Sequence, residues 1–142
     1  MDQVPVPEGF IRHFRRSPLT EPWEPLYSRR TEKAVILGLR AAENHTNARG
    51  FVHGGLITAL ADNAMGLSCT QALRGETAGL LTISLAVDFL SVARTGQWIE
   101  IDTTFTRPGS MICFAQAFIT ADGATCGRAN ATFRVLQAKG TA

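Results

Sequence analysis

The apolar positions of this chain change period twice. From Glu32 to Glu43 they alternate, with Val35, Leu37, Leu39 and Ala41 on one face, the two-residue repeat of a strand. Residues 53–73 are rich in Leu, Ala and Met and contain no Pro, and they read as one helix that Gly75 ends. Alternation then returns. Leu80 to Leu90 puts Ile83, Leu85, Val87 and Phe89 on one face, with Thr82, Ser84, Ala86 and Asp88 on the other. Trp98 to Thr106 repeats the pattern with Ile99, Ile101, Thr103 and Phe105, and Met111 to Thr120 and Arg128 to Val135 follow. Turn residues at Thr95-Gly96, Pro108-Gly109 and Asp122-Gly123 join these segments. They predict that the last four strands form an antiparallel meander.

This order predicts an α+β fold with a single central helix. A helix of about 20 residues is roughly 30 Å long, and so is a strand of about 9 residues. One helix can therefore lie along an antiparallel sheet and be wrapped by it. Residues 1–31 are Pro-rich and irregular, and they are expected to form an N-terminal extension. Within it, Gly9 to Arg16 is predicted as a short helix stopped by Pro18, and Pro22 and Pro25 are predicted to keep the next part extended. Residues 32–142 are expected to form the folded domain.

Composition narrows the class. A net charge of +2 over 142 residues gives no reason to expect nucleic acid. The longest apolar run, Leu56 to Leu73, is interrupted by Asp62, Asn63 and Gln71, so no membrane span is expected. Met1 to Gly9 carries Asp2 and Glu8 and no apolar run, which is not the pattern of a signal peptide. Cys69, Cys113 and Cys126 cannot all pair with one another, show no metal-ligand spacing, and lie in apolar segments. These features point to a reducing, cytoplasmic compartment. Arg12, Arg15, Arg16, Arg29 and Arg30 form the main basic grouping. A solvated surface is the plain reading; contact with the phosphates of a nucleotide-bearing substrate is the sharper one.

The chemistry concentrates between Asn47 and Asp62. A polar loop, Asn47 to Val52, runs through His53 into the pair Gly54-Gly55, where the helix begins. Unpaired N–H groups at a helix N-terminus, aligned with the helix dipole, attract negative charge. Asp62 is the single carboxylate in the apolar helix, and an acid there is costly without a task. Together these features suit an oxyanion donor beside a base or nucleophile. Plainer readings exist for each neighbour. Gly54 and Gly55 could serve the tight entry to the helix, His53 could cap it, and Asn47 could close a turn. Ser84 and Asp88 read as ordinary strand residues, Trp23 and Trp98 as packing residues, and Met65 and Leu67 as core.

The constellation Asn47…Gly50…His53-Gly54-Gly55…Asp62 resembles hotdog-fold acyl-CoA thioesterases of the phenylacetic-acid-pathway and 4-hydroxybenzoyl-CoA type. Val87-Asp88-Phe89-Leu90 and Arg107-Pro108-Gly109 add weaker support, and the likeness covers about residues 32–136. It implies a curved antiparallel sheet wrapped around one long helix. It also implies that the Gly54 amide polarises the thioester carbonyl and that Asp62 is general base or nucleophile. Asn47 would hold the carbonyl or the attacking water, and Thr82 would support the acid or the water. His53 and Gly55 would border the substrate. No metal or cofactor is implied, since coenzyme A is part of the substrate.

Geometry adds one further expectation. Gly54 and Asp62 are eight residues apart on one helix, so their backbones are separated by about 12 Å. Both must reach one thioester within hydrogen-bond range. Two antiparallel helices in a two-fold homodimer, itself expected to pair again as a dimer of dimers, would let Gly54 of one copy face Asp62 of the other. A non-catalytic acyl-CoA-binding regulator and an enoyl-CoA hydratase or dehydratase using His53 with Asp62 are the rival readings, because a fold alone does not specify an activity.

Overall fold

The computed structural model describes residues 4–137 of the chain. Its elements are β1 (Ile11–Arg12), β2 (Tyr27–Arg30), β3 (Val35–Arg40), α1 (Gly54–Ala72), β4 (Gly79–Phe89), β5 (Trp98–Arg107), β6 (Ile112–Ala121) and β7 (Ala124–Leu136). Single 3-10 turns lie at Glu21–Trp23 and Glu43–His45. The strands form one seven-stranded antiparallel sheet in the order β1-β2-β3-β5-β6-β7-β4, with α1 packed against its concave face.

The core follows from the patterning. Leu37 and Leu39 from β3 with Ala41 just after it, Ile99 and Ile101 from β5, and Ala115, Ala117 and Ile119 from β6 form one core with Leu56, Leu60, Ala64 and Met65 of α1. Ser68 ties the helix to β3, its Oγ accepting from the Val35 amide at 3.1 Å. All three cysteines are buried and unbridged, and the Cys69 and Cys113 sulfurs meet between α1 and β6, 2.6 Å apart. Burial pushes the Cys126 thiol above its ordinary range.

Four expectations are corrected. Residues 9–16 contain no helix. Gly9 has φ +87°, and Ile11 and Arg12 pair with Ser28 and Tyr27 of β2. Phe10 is buried against Trp98 in a second cluster with Ala34 and Ile36, and that tertiary contact outweighs local helix preference. The stretch around Pro22 is not wholly extended, because Glu21–Trp23 makes a 3-10 turn with Pro22 in its first positions. The last four strands are not a simple meander. Only β5-β6-β7 follow one another, and β4 lies at the far edge, paired with β7. The chain after β4 crosses to β5, which is flanked by β3 and β6.

The fourth correction concerns register. A bulge at Ile83 breaks the alternation of β4, so that Thr82 opposes Phe133 while Ser84 opposes Thr132. One extra residue reverses which side chains face inward. Thr82 thus shares the helix-facing side with Leu85 and Val87 instead of lying opposite them, and Ile83 is 57% exposed. The same happens at Thr104 in β5, where Thr103 is buried and Phe105 is 54% exposed.

Gly38 lies where Phe10 and Trp98 cross β3, and a β-carbon there would collide with both rings. Gly38→Val is therefore expected to lower stability by about 1–3 kcal/mol, through forced displacement of packed rings. A chemical-denaturation midpoint equal to that of the parent would contradict this.

Candidate active site

The loop before α1 is held from both sides. Asn47 Oδ1 accepts from the amides of Arg49 (2.9 Å) and Phe51 (3.2 Å), and the Asn47 amide donates to the Phe51 carbonyl at 2.8 Å. His45 is buried: its Nδ1 accepts from the Ala42 amide, and its Nε2 lies 2.9 Å from the Trp23 carbonyl, so Nε2 carries the proton. The His45 carbonyl then accepts from the His53 amide at 2.9 Å. Sequence reading gave His45 no role. Its partner Trp23 lies 22 positions away, and only the fold shows that His45 joins the N-terminal segment to the helix entry.

His53 is the N-cap of α1, with extended backbone and Nδ1 accepting from the Gly55 amide at 2.7 Å. That geometry matches the capping reading of His53. The Gly54 amide, first in the helix, has no acceptor among the described residues. A β-carbon on Gly54 would stand 3.0 Å from the Phe89 ring, so a bare glycine keeps this amide open beside β4.

Two turns further along α1, Asp62 is half-buried rather than buried. The Thr82 hydroxyl donates to Asp62 Oδ1 at 2.7 Å. The bulge at Ile83 is what turns Thr82 toward the helix. Ser84 is exposed, and Asp88 is an exposed strand residue paired across to Arg128 at 2.8 Å. Trp98 is buried packing and Met65 is core. Leu67 borders the cleft described next.

Asp62 and Thr82 open into a cleft of about 470 Å³ that follows α1 past Gly66 and Leu67 to Thr70. Leu80 and Phe133 form its inner side, and residues His13 to Thr20 form a further wall. Asn47, His53, Gly54 and Gly55 do not line it. One chain therefore brings Asp62 and Thr82 together and leaves the glycine amides and Asn47 in a separate group. It builds no His53–Asp62 pair of the kind a hydratase would use. Nothing in residue spacing could reveal the His13–Thr20 wall, because those residues lie in the connection between β1 and β2, far before α1 in the chain.

Burial pushes the His13 imidazole below its ordinary value; Glu24 opposes this, while Arg30 and Arg15 add to it. The folded chain thus binds fewer protons at His13 than the unfolded chain. Stability is full above the ordinary imidazole value of about 6.5 and falls as the pH drops through it. His13→Gln is expected to flatten this part of the stability–pH curve, read by thermal melting between pH 5 and 8; an unchanged slope would refute it.

Among the described residues, no helix is long and apolar enough to cross a membrane. The sequence pattern of the thioesterase superfamily matches residues 49–127, more than half of the chain. The chain is 37% identical to the Pseudomonas aeruginosa protein PA0474, named as an esterase, over 79% of this chain and 84% of that one. It is 33% identical to human acyl-coenzyme A thioesterase 13 over 61% of this chain and 60% of the human protein. A Streptococcus mutans structure, solved bound to acetyl CoA, superposes with a TM-score of 0.72 at 20% identity, covering 92% of this chain and 96% of that one. With a seven-stranded antiparallel sheet wrapped on one long helix, and with these matches, the chain belongs to the thioesterase superfamily and has its hotdog fold.

Proposed function

We propose that the protein hydrolyses an acyl-CoA thioester to a free acid and coenzyme A, at a site completed by two copies of the chain. The observation that carries this reading is the Asp62–Thr82 pair at the mouth of a cleft from which the Gly54 amide is absent. A thioesterase needs both a donor for the developing oxyanion and a carboxylate for the attack. A second copy supplies what one copy lacks.

In this reading the thioester carbonyl accepts a hydrogen bond from Gly54 N–H of one copy, at the positive end of α1. Asp62 of the other copy either attacks the carbonyl carbon or takes a proton from the attacking water. The tetrahedral adduct then expels the coenzyme A thiolate, which is protonated on release. The general-base route yields the free acid at once, while the nucleophilic route leaves an acyl–Asp62 anhydride that a water molecule must hydrolyse to free the acid and restore the carboxylate. Thr82, donating to Asp62 Oδ1, leaves Oδ2 to face the reaction. Asn47 Oδ1 is engaged by loop amides, so only its Nδ2 hydrogens remain to hold the carbonyl or the water. His53 and Gly55 shape the entry by capping the helix. Neither step draws on a metal or cofactor.

The surface supports a second copy. β4 is an edge strand with Leu81 and Ile83 exposed, and natural proteins seldom leave a long apolar edge uncovered. Phe105, Phe114 and Phe118 are exposed on other strands, and a further pairing there would give the dimer of dimers. The reading also places the protein in the cytoplasm, where acyl-CoA is available and its three thiols stay reduced.

The test is release of free thiol from a panel of acyl-CoA thioesters, with sedimentation to count copies. Thiol release distinguishes hydrolysis from hydration and from mere binding. Thr82→Val keeps the shape but removes the donor, and is expected to reduce turnover about 10-fold without loss of fold. No thiol release from any thioester, or a monomer with full activity, would defeat the reading.

A further inference from the structure

The cleft has a wall whose chemistry does not suit a plain hydrocarbon chain. Asp62, Gly66 and Thr70 follow one another at four-residue steps along α1, so the floor runs away from Gly54 toward the C-terminal end of the helix. Facing this floor, the segment from His13 to Thr20 brings Arg15 and Arg16 onto the cleft.

The five arginines of the N-terminal grouping differ in how they are used. Arg12 pairs with Glu24 at 3.3 Å, and Arg16 stands 3.8 Å from Glu24 and 4.0 Å from Glu21. Arg29 lies over the Phe10 ring and Arg30 over the Phe14 ring. Arg15 has neither a carboxylate nor an aromatic ring among the described residues, and it lines the cleft. Among the described residues, Asp62, already bonded to Thr82, is the only acid on that lining. The free charge on the wall is therefore positive.

Position indicates which part of the substrate meets this charge. The floor of the cleft from Asp62 to Thr70 is eight helical residues, about 12 Å long. The pantetheine arm that separates sulfur from phosphates in coenzyme A has about the reach of four or five extended residues, roughly 16 Å. With the thioester at Asp62, the phosphates fall outside this space, and the acyl group fills it. An alkyl end would strip water from a guanidinium and give nothing in return. A carboxylate would make paired, charge-assisted hydrogen bonds.

Resting on the thioesterase reading above, we propose that the substrate is the CoA thioester of a short acid with a second, terminal carboxylate, and that Arg15 selects it by pairing with that carboxylate.

The test compares glutaryl-CoA with valeryl-CoA, which share chain length and differ only in the terminal group, by thiol release from the full chain. The wild type is expected to favour glutaryl-CoA in kcat/KM by about 10-fold or more, and Arg15→Met is expected to bring the ratio near one. Arg15→Lys, a point charge without the fork, should retain an intermediate preference. Thermal melts confirm that each variant is folded. Equal losses on both substrates in Arg15→Met would assign Arg15 to the coenzyme A phosphates and overturn the proposal. Turnover of valeryl-CoA without any preference for glutaryl-CoA would also overturn it, leaving the thioesterase reading intact. No thiol release from either, or from the wider panel, would remove the thioesterase reading and this proposal with it.

Discussion

Asp62→Asn is expected to lower acyl-CoA hydrolysis by about 10²–10⁴-fold, the range spanned by a positioned acid or base. The substitution is nearly isosteric. Its side-chain oxygen can still accept from the Thr82 hydroxyl, now 2.7 Å from Asp62 Oδ1, so the local fold should survive. Asp62 is half-buried, and neutralising it removes a charge that the apolar helix does not need for packing. Activity and stability should therefore separate: turnover collapses while the melting temperature holds or rises slightly. Asp62→Ala should behave similarly in rate. If Asp62→Asn turned over within about threefold of the parent, the carboxylate would have no part in the chemistry.

The second large effect concerns Gly54. Loss of one preorganised oxyanion donor costs about 10²–10³ in kcat. Gly54→Pro removes the N–H, and two features make it better tolerated than proline elsewhere in α1. His53 already has φ −67° and ψ 131°, as the residue before a proline requires, and the first helical position makes no internal hydrogen bond. The new β-carbon would press on Phe89 at 3.0 Å. Gly54→Ala adds the same carbon but keeps the amide, so the rate ratio of Ala to Pro isolates the donor. Mixing the Gly54→Pro and Asp62→Asn chains carries the argument further. In a random mixture half the dimers are mixed, and each of those has one intact site of two, so about a quarter of the parent rate should return. No recovery after verified subunit exchange would mean that Gly54 and Asp62 act within one chain or not together.

Much of the scaffold was legible because it is written in short-range chemistry. The Gly54-Gly55 start and the Gly75 stop bracket a helix expected over 53–73 and found at Gly54–Ala72. The left-handed conformations at Gly96 and Gly123 lie in turns read from their sequence. The inward residues of β3 and of the first half of β5 are buried as the two-residue period predicts, while Ile36 and Trp98 are buried on the opposite face by the second cluster with Phe10. Asp62 stood out because a lone acid in an apolar helix has an energetic cost visible in one dimension.

What the order of residues determined, then, was which segments become helix, strand and turn, and which few polar groups lie where only chemistry would justify them. Tertiary structure alone decided the rest. It set β4 beside β7 instead of β5, and it drew residues 11–12 into a strand through Phe10 and Trp98. By one bulged residue at Ile83 it turned Thr82 onto Asp62, and it folded the Arg15 segment across the cleft. The division has a physical cause. Period, capping and turn preference act between residues a few positions apart, whereas strand pairing, register and cleft walls depend on surfaces that meet only after the chain has closed on itself.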